Sequence, residues 1–375
     1  MTRSFRIGRI AGIDIEVDYT WFIIFFLVAA TLSVGIFKER LPGLSLGARW
    51  LVAAGTTLLF FGSVLAHELA HSVVAKRHGL DITGITLFLF GGVSKMSDEP
   101  KSASDEFKIA IVGPLTSLVL AGIFLGIGYA VRSATGGHVV GTVFWWLGWV
   151  NAMLGAFNLL PGFPLDGGRV LRAGIWAGAR NLWEATRIAS MFGQGMGILM
   201  IVGGVAMFFV GGGLSGLWLA FIGWFLIQSA QASYQQLVLR QALSGLSISQ
   251  VMTSNVESVP ADTTLDRVIH DYVLAHNHPA FPVMDDSKLL GLICINDIRS
   301  VPREQWSQTT AREAVPRLTE QHSLHPDTDA WEALQRMVRE DCGRLLVVDH
   351  DGALRGIVSR TDIMRAIRTR MGIGQ

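Results

Sequence analysis

Residues 67–71 read His-Glu-Leu-Ala-His. On a helix, positions four apart share a face, so the imidazoles of His67 and His71 can grip one metal ion. Glu68 projects beside them, where a carboxylate can take a proton from water. Chance supplies roughly 0.01 such matches in a chain of this composition. The motif also lies inside an apolar stretch, Trp50 to Ala75. Ionisable side chains there cost several kcal/mol each and call for a use. The bland alternative is a polar cluster that packs helices or lines a pore.

A catalytic zinc needs a third protein ligand and an open position. His78 follows His71 on the same face, but about 10 Å further along an unbroken helix, out of reach of the same ion. No histidine stands six residues beyond His71. His138 is expected in a loop across the bilayer. The best remaining candidate is Asp166, the only carboxylate between Glu106 and Glu184. It sits in Asn-Leu-Leu-Pro-Gly-Phe-Pro-Leu-Asp-Gly-Gly-Arg (158–169). Pro161 and Pro164 break a helix there, and Gly167 and Gly168 let backbone approach closely. His67 precedes the charge of Lys76 by about 13 Å of helix, and Asp166 lies just before Arg169, so both belong to the same half of the membrane. The other reading of Asp166 is a turn residue of Pro-x-Asp-Gly-Gly chemistry.

The elements that must hold these residues are membrane spans. Half of the 375 residues are apolar and only 16% are charged, well below the roughly 25% of a soluble domain. Mean hydropathy is +0.41. Residues 1–244 hold 29 charged side chains and residues 245–375 hold 32, so an apolar body precedes a normally charged tail. Six runs are long enough to span: Tyr19 to Phe37, Trp50 to Ala75, Phe107 to Val131, Val139 to Leu160, Ile188 to Val210 and Leu214 to Gln231. The first is too long for a signal-peptide core and has no clean cleavage site, so it is expected to stay. Nine of the 11 tryptophans lie in this body. Segment 81–97 is apolar but broken by Gly84, Gly91 and Gly92, too short to span, and reads as a re-entrant hairpin. With the N-terminus inside, the inner segments carry 12 Lys and Arg against four outside. That bias places both termini and the tail in the cytoplasm. Net charge of +1 lends no support to nucleic-acid binding. Two cysteines, Cys294 and Cys342, exclude a disulfide scaffold.

His-Glu-x-x-His in one span, with Asn158-Leu159-Leu160-Pro161 through Asp166-Gly167 closing a later one, resembles the site-2 proteases, intramembrane zinc metalloproteases. The hairpin residues Phe90-Gly91-Gly92-Val93 and the pair Gly113-Pro114 at the opening of the third span are similar to that family too. The resemblance covers about residues 1–232. It implies one zinc ion per chain held by His67, His71 and Asp166, with Glu68 as base and Asn158 lining the site against the scissile carbonyl. It implies that the hairpin presents an extended substrate strand, and that the substrate is a transmembrane segment of another protein in the lipid bilayer.

The tail is an internal repeat. Gly291, Asp297 and Ile298 recur 65 positions on as Gly356, Asp362 and Ile363. Each unit reads strand, turn, strand, helix, with a helix before it (Thr264 to Ala275; Ala330 to Glu340). The pair resembles CBS domains, whose Gly-h-h-[Ser/Thr]-x-x-Asp segment holds the ribose and phosphates of adenine nucleotides. Ser359 and Asp362 complete that pattern in the second unit. In the first, Cys294 replaces the hydroxyl before Asp297, so a nucleotide is expected mainly at the second. The alternative is a purely structural dimerisation module.

The expected fold is therefore an α-helical polytopic membrane protein of about six transmembrane helices with a re-entrant β-hairpin, plus a C-terminal α/β CBS pair. The domains are 1–232, a linker 233–246, and CBS units 247–303 and 304–375. A prokaryotic cell membrane is the expected location. The rival function is a CBS-gated transporter or channel using the His/Glu/Asp cluster as a metal translocation site. It gives no role to a base one residue from a metal ligand. Gly193, Gly195 and Gly197, like Gly122 and Gly126, read as small-residue helix contacts.

Overall fold

The computed structural model describes residues 4–89, 91–96, 99–276, 278–316, 318, 322–340 and 342–373. Phe90 of the hairpin motif lies outside them. The chain divides into two compact units, 1–235 and 236–375.

The first unit opens with a strand pair that the hydropathy reading passed over. β1 (Ser4–Ile10) and β2 (Ile13–Asp18) are antiparallel, turning at Ala11 and Gly12, both with positive φ. Ile13, Ile15 and Val17 are buried and the acidic residues between them are not, the period-two pattern of a strand with one face covered. β2 then pairs in parallel with β3 (Ile82–Phe88), which pairs antiparallel with β4 (Gly91–Met96). The expected hairpin is therefore half of a four-stranded sheet, with β4 on its edge.

Between β2 and β3 run two long helices, α1 (Thr20–Arg40) and α2 (Leu46–Arg77). α3 (Ala103–Thr135) starts behind a Ser102 cap, and α4 (His138–Asn158) follows. Their contact is glycine-lined: a Cβ on Gly148 would overlap Leu125, and one on Gly155 would stand 3.0 Å from the Pro114 carbonyl. A tight turn leads to α5 (Asp166–Ala179). The last apolar stretch, Leu182–Leu243, is long enough for two spans and doubles back at Gly211 (φ 105°) and Gly213 (φ 50°). It forms α6 (Leu182–Met207) and α7 (Gly213–Leu243). The described chain thus has six helices of membrane length.

Gly197 of α6 meets Gly223 of α7, and Gly204 meets Gly216, where an added Cβ would lie 2.6 Å and 2.5 Å from the opposing carbonyl oxygen. Gly193 packs on the Phe163 backbone. Two of the three glycines in that run are therefore contact points, as expected for helices whose main attraction is close packing. Gly195, Gly122 and Gly126 are not: nothing lies within 4 Å of a Cβ built on any of them. Helix contact was the wrong reading at these three, because spacing does not reveal which face meets lipid. Gly113 and Pro114 lie well inside α3 and not at its opening.

The second unit holds two three-stranded sheets. One has β5 (Val259–Pro260), β6 (Ala280–Asp285) and β7 (Lys288–Cys294), followed by α8 (Ile295–Arg299). The other has β8 (Ser323–Leu324), β9 (Arg344–Val348) and β10 (Leu354–Ser359), with α9 (Ala330–Arg339) and α10 (Arg360–Ile373). Each sheet has one parallel and one antiparallel pairing, so the repeat seen in sequence is a repeat in structure.

Candidate metal centre

His67 and His71 project from one face of α2 and are both 4% exposed. Their Nε2 atoms are 3.2 Å apart, and each is 3.1 Å from Asp166 Oδ2. Among the described residues, these three form a group whose donor atoms all fall within 4.8 Å of one another. The rest of each ring is fixed by α3. His71 Nδ1 donates to the Ile109 carbonyl at 2.6 Å, and His67 Nδ1 meets Ser117 Oγ at 2.9 Å. Because a carbonyl only accepts, the proton of a neutral His71 is on Nδ1, and its Nε2 presents a lone pair toward the Asp166 carboxylate. Donor atoms converging in this way suit a cation between them, and two imidazoles with one carboxylate are a zinc-type set.

Glycines make the space. A Cβ on Gly113 would overlap the His71 ring and stand 2.8 Å from His67 Nε2. A Cβ on Gly92 would overlap Glu68. Two residues on, and hence on the same face of β4, Ser94 Oγ donates to Glu68 Oε2 at 3.3 Å. Ser94 also meets Ser72 Oγ at 2.9 Å. Asp166 is delivered by the turn after α4, where Gly167 packs on the Leu159 and Leu160 carbonyls and Gly168 on Gly162. No side chain at this turn has room to replace either glycine.

All five site residues expected from the first unit line one cavity of about 690 Å³: His67, Glu68, His71, Asn158 and Asp166. Its other walls are largely apolar, with Phe60, Phe157 and Trp218 among them. Asn158 Nδ2 donates to the Leu154 carbonyl of its own helix at 3.0 Å. His78 is elsewhere, bonded to the Val74 carbonyl and 3.6 Å from Asp105. His138 is the first residue of α4. Ile109, Ser117, Ser94 and the two clearing glycines escaped the sequence reading as supports of the site. Only the pairs Gly113-Pro114 and Gly91-Gly92 carried a signal there.

In the second unit, Asp297 and Asp362 do the same local work. Asp297 accepts from the Cys294 N–H at 2.7 Å, and Asp362 from the Ser359 N–H and hydroxyl at 3.0 and 2.6 Å. A cavity of about 580 Å³ is lined by Cys294, Asn296, Asp297, Cys342 and Arg344. The Cys294 thiol is pushed up to about 11 by burial and by the Asp297 carboxylate beside it, so it stays neutral and a weak donor. Ser359 and Asp362 are not among the residues lining this cavity.

Peptidase family M50 matches residues 55–203, and the CBS domain family matches twice, over 248–304 and 310–369. The chain is 34% identical to the Rip3 protein of Mycobacterium tuberculosis, over 98% of this chain and 93% of that one. It is 33% identical to sll0528 of Synechocystis, over 98% and 97%. It is 31% identical to zinc metalloprotease MJ0392 of Methanocaldococcus jannaschii, again over 98% and 97%. Since this similarity runs through both units, the chain belongs to peptidase family M50, as a multi-pass zinc metalloprotease of the site-2 protease type with a C-terminal CBS pair.

Proposed function

We propose that this enzyme hydrolyses peptide bonds in or near transmembrane segments of substrate proteins, with one zinc held by His67, His71 and Asp166 and Glu68 as the base. The observation that carries this reading is the shared cavity: a buried two-histidine, one-aspartate cluster and a separate carboxylate on one wall, apolar side chains on the others. Bound there, zinc supplies Lewis-acid polarisation of the scissile carbonyl and acidifies water.

The chain's own residues do the rest. Glu68 Oε2, steadied by the Ser94 hydroxyl, accepts the proton of the attacking water and returns it to the leaving amine. Ile109 and Ser117 keep both imidazoles turned toward Asp166. Asn158 exchanges its bond to Leu154 for one to the scissile carbonyl oxygen. The free edge of β4 pairs with an unwound substrate strand. The Lys and Arg bias supports cytoplasmic termini, and the bacterial and archaeal relatives support a prokaryotic membrane.

The CBS pair regulates the protease by binding an adenine nucleotide. The sequence pattern is complete at Ser359 and Asp362, and a cavity of about 580 Å³ lies at Asp297, with the Arg344 cation in its wall. Room for a base, ribose and phosphate weighs more than one hydroxyl, and we place the nucleotide at Asp297. A comparison of membrane proteomes from cells carrying the wild type or Glu68→Gln tests the protease reading. Substrates should accumulate uncut with the variant, and identical proteomes would refute it.

A further inference from the structure

The turn that delivers Asp166 is tied to α3 by buried charges. Glu106 has no exposed surface. Arg172 of α5 donates through Nε to Glu106 Oε1 at 2.6 Å, and its Nη2 pairs with the same oxygen. Arg169 Nε stands 3.9 Å from that oxygen. The Arg172 guanidinium also lies over the Phe163 ring, 5.2 Å from its centroid, and Phe163 is part of the turn leading into Asp166. One side chain thus touches α3, α5 and the turn between α4 and α5.

The spacing connects this pair to the histidines. Glu106, Ile109, Gly113 and Ser117 follow one another at three- and four-residue steps, a single stripe along α3. Its last three members accept from, make room for and orient the imidazoles. On α5 the facing stripe is Asp166, Arg169 and Arg172. A buried ion pair adds little net stability over apolar residues of similar volume, because desolvation offsets the attraction. What it does add is register. Sliding α5 along α3 breaks the short Arg172–Glu106 contacts, whereas apolar contacts tolerate a slide.

We infer that Glu106 and Arg172 are positioning residues of the metal centre, setting the register of α5 on α3 at which the Asp166 carboxylate reaches both histidines. This rests on the reading of Asp166 as a zinc ligand. The test is zinc affinity of the full-length protein in detergent, measured by competition with a chromophoric chelator. The variants are Glu106→Gln, Arg172→Lys and the double variant Glu106→Leu/Arg172→Met, with Asp166→Ala as reference. Outer-sphere partners are worth on the order of 10–100-fold in metal affinity, and losses of that size are expected in Glu106→Gln and in the double variant. Arg172→Lys, which keeps the charge, should lose less. Peptide hydrolysis by these variants should return at saturating zinc with KM unchanged, which a damaged fold would not do. Should Glu106→Gln fail to fold, the double variant, which removes both partners of the short pair together, and Arg172→Lys carry the test. A folded double variant with wild-type zinc affinity overturns the positioning role. If Asp166→Ala also binds zinc normally, the ligand reading falls with it; if Asp166→Ala loses zinc, only the positioning role is lost.

Discussion

Asp166 in the membrane unit and Asp297 and Asp362 in the CBS pair all sit in the first turn of a helix. They use that place in opposite ways. Asp297 and Asp362 accept from the backbone N–H three residues earlier and cap their own helices. Asp166 leaves its helix without a side-chain cap and turns to histidines 95 and 99 positions away. A capping bond is worth about 1 kcal/mol. Asp166 is the first residue of its helix and not the third, so that bond is not open to it, and its carboxylate faces two imidazole nitrogens instead. The difference separates a site that exists only in the tertiary structure from motifs that are complete within a few residues.

The sharpest way to break this contrast is to remove the base and leave the ligands. Glu68→Gln should keep zinc in metal analysis and lower peptide hydrolysis on the order of 10²–10⁴-fold, since the amide cannot accept a proton. Wild-type turnover would take Glu68 out of the reaction. Asp166→Asn should weaken zinc binding by more than the 10–100-fold typical of outer-sphere partners, because a neutral amide oxygen is a poor ligand. His78→Ala should bind zinc as the wild type does, since the His78 ring bonds the Val74 carbonyl and stands 3.6 Å from Asp105, away from the cluster. Equal losses in both would mean that the metal lies elsewhere.

On the other side of the comparison, Asp297→Ala and Asp362→Ala should each cost about 1 kcal/mol of stability as lost caps, a small fall in melting temperature. Their effects on nucleotide should differ. A carboxylate bonded to ribose hydroxyls contributes about 1.5–3 kcal/mol, so Asp297→Ala should weaken binding by about one to two decades and Asp362→Ala little. Calorimetric titration of the full-length protein with ATP, ADP and AMP measures this. No binding of any of the three would leave dimerisation as the role of the pair. Ser117→Ala removes the His67 partner without touching a ligand and should lower zinc affinity about tenfold. The smallest contrast is within one helix bundle. Gly122→Ala should leave stability unchanged, while Gly197→Ala, whose Cβ would press on the Gly223 carbonyl, should lower the melting temperature measurably.

Much of this molecule was legible as a string. Six apolar runs, a repeat offset by 65 residues and a two-histidine motif are local patterns of composition and spacing, and local physics produces them. Asp166 was legible for a related reason: a lone carboxylate in an apolar stretch is conspicuous. The strand Ile13–Asp18 was also there to be read, in a strict alternation that the charge count obscured. Other features had no local signature. Glu106 and Arg172 look like ordinary charges at span ends until α3 and α5 are brought together. Gly113 differs from Gly122 only in which face of α3 it occupies, toward the histidines or toward open space. Ile109 contributes a carbonyl, which every residue has. The identity of the chemistry was thus determined by residue types that resist an apolar environment. Its geometry was decided by tertiary structure alone, because close approach, buried pairing and the direction of a lone pair are properties of two segments at once.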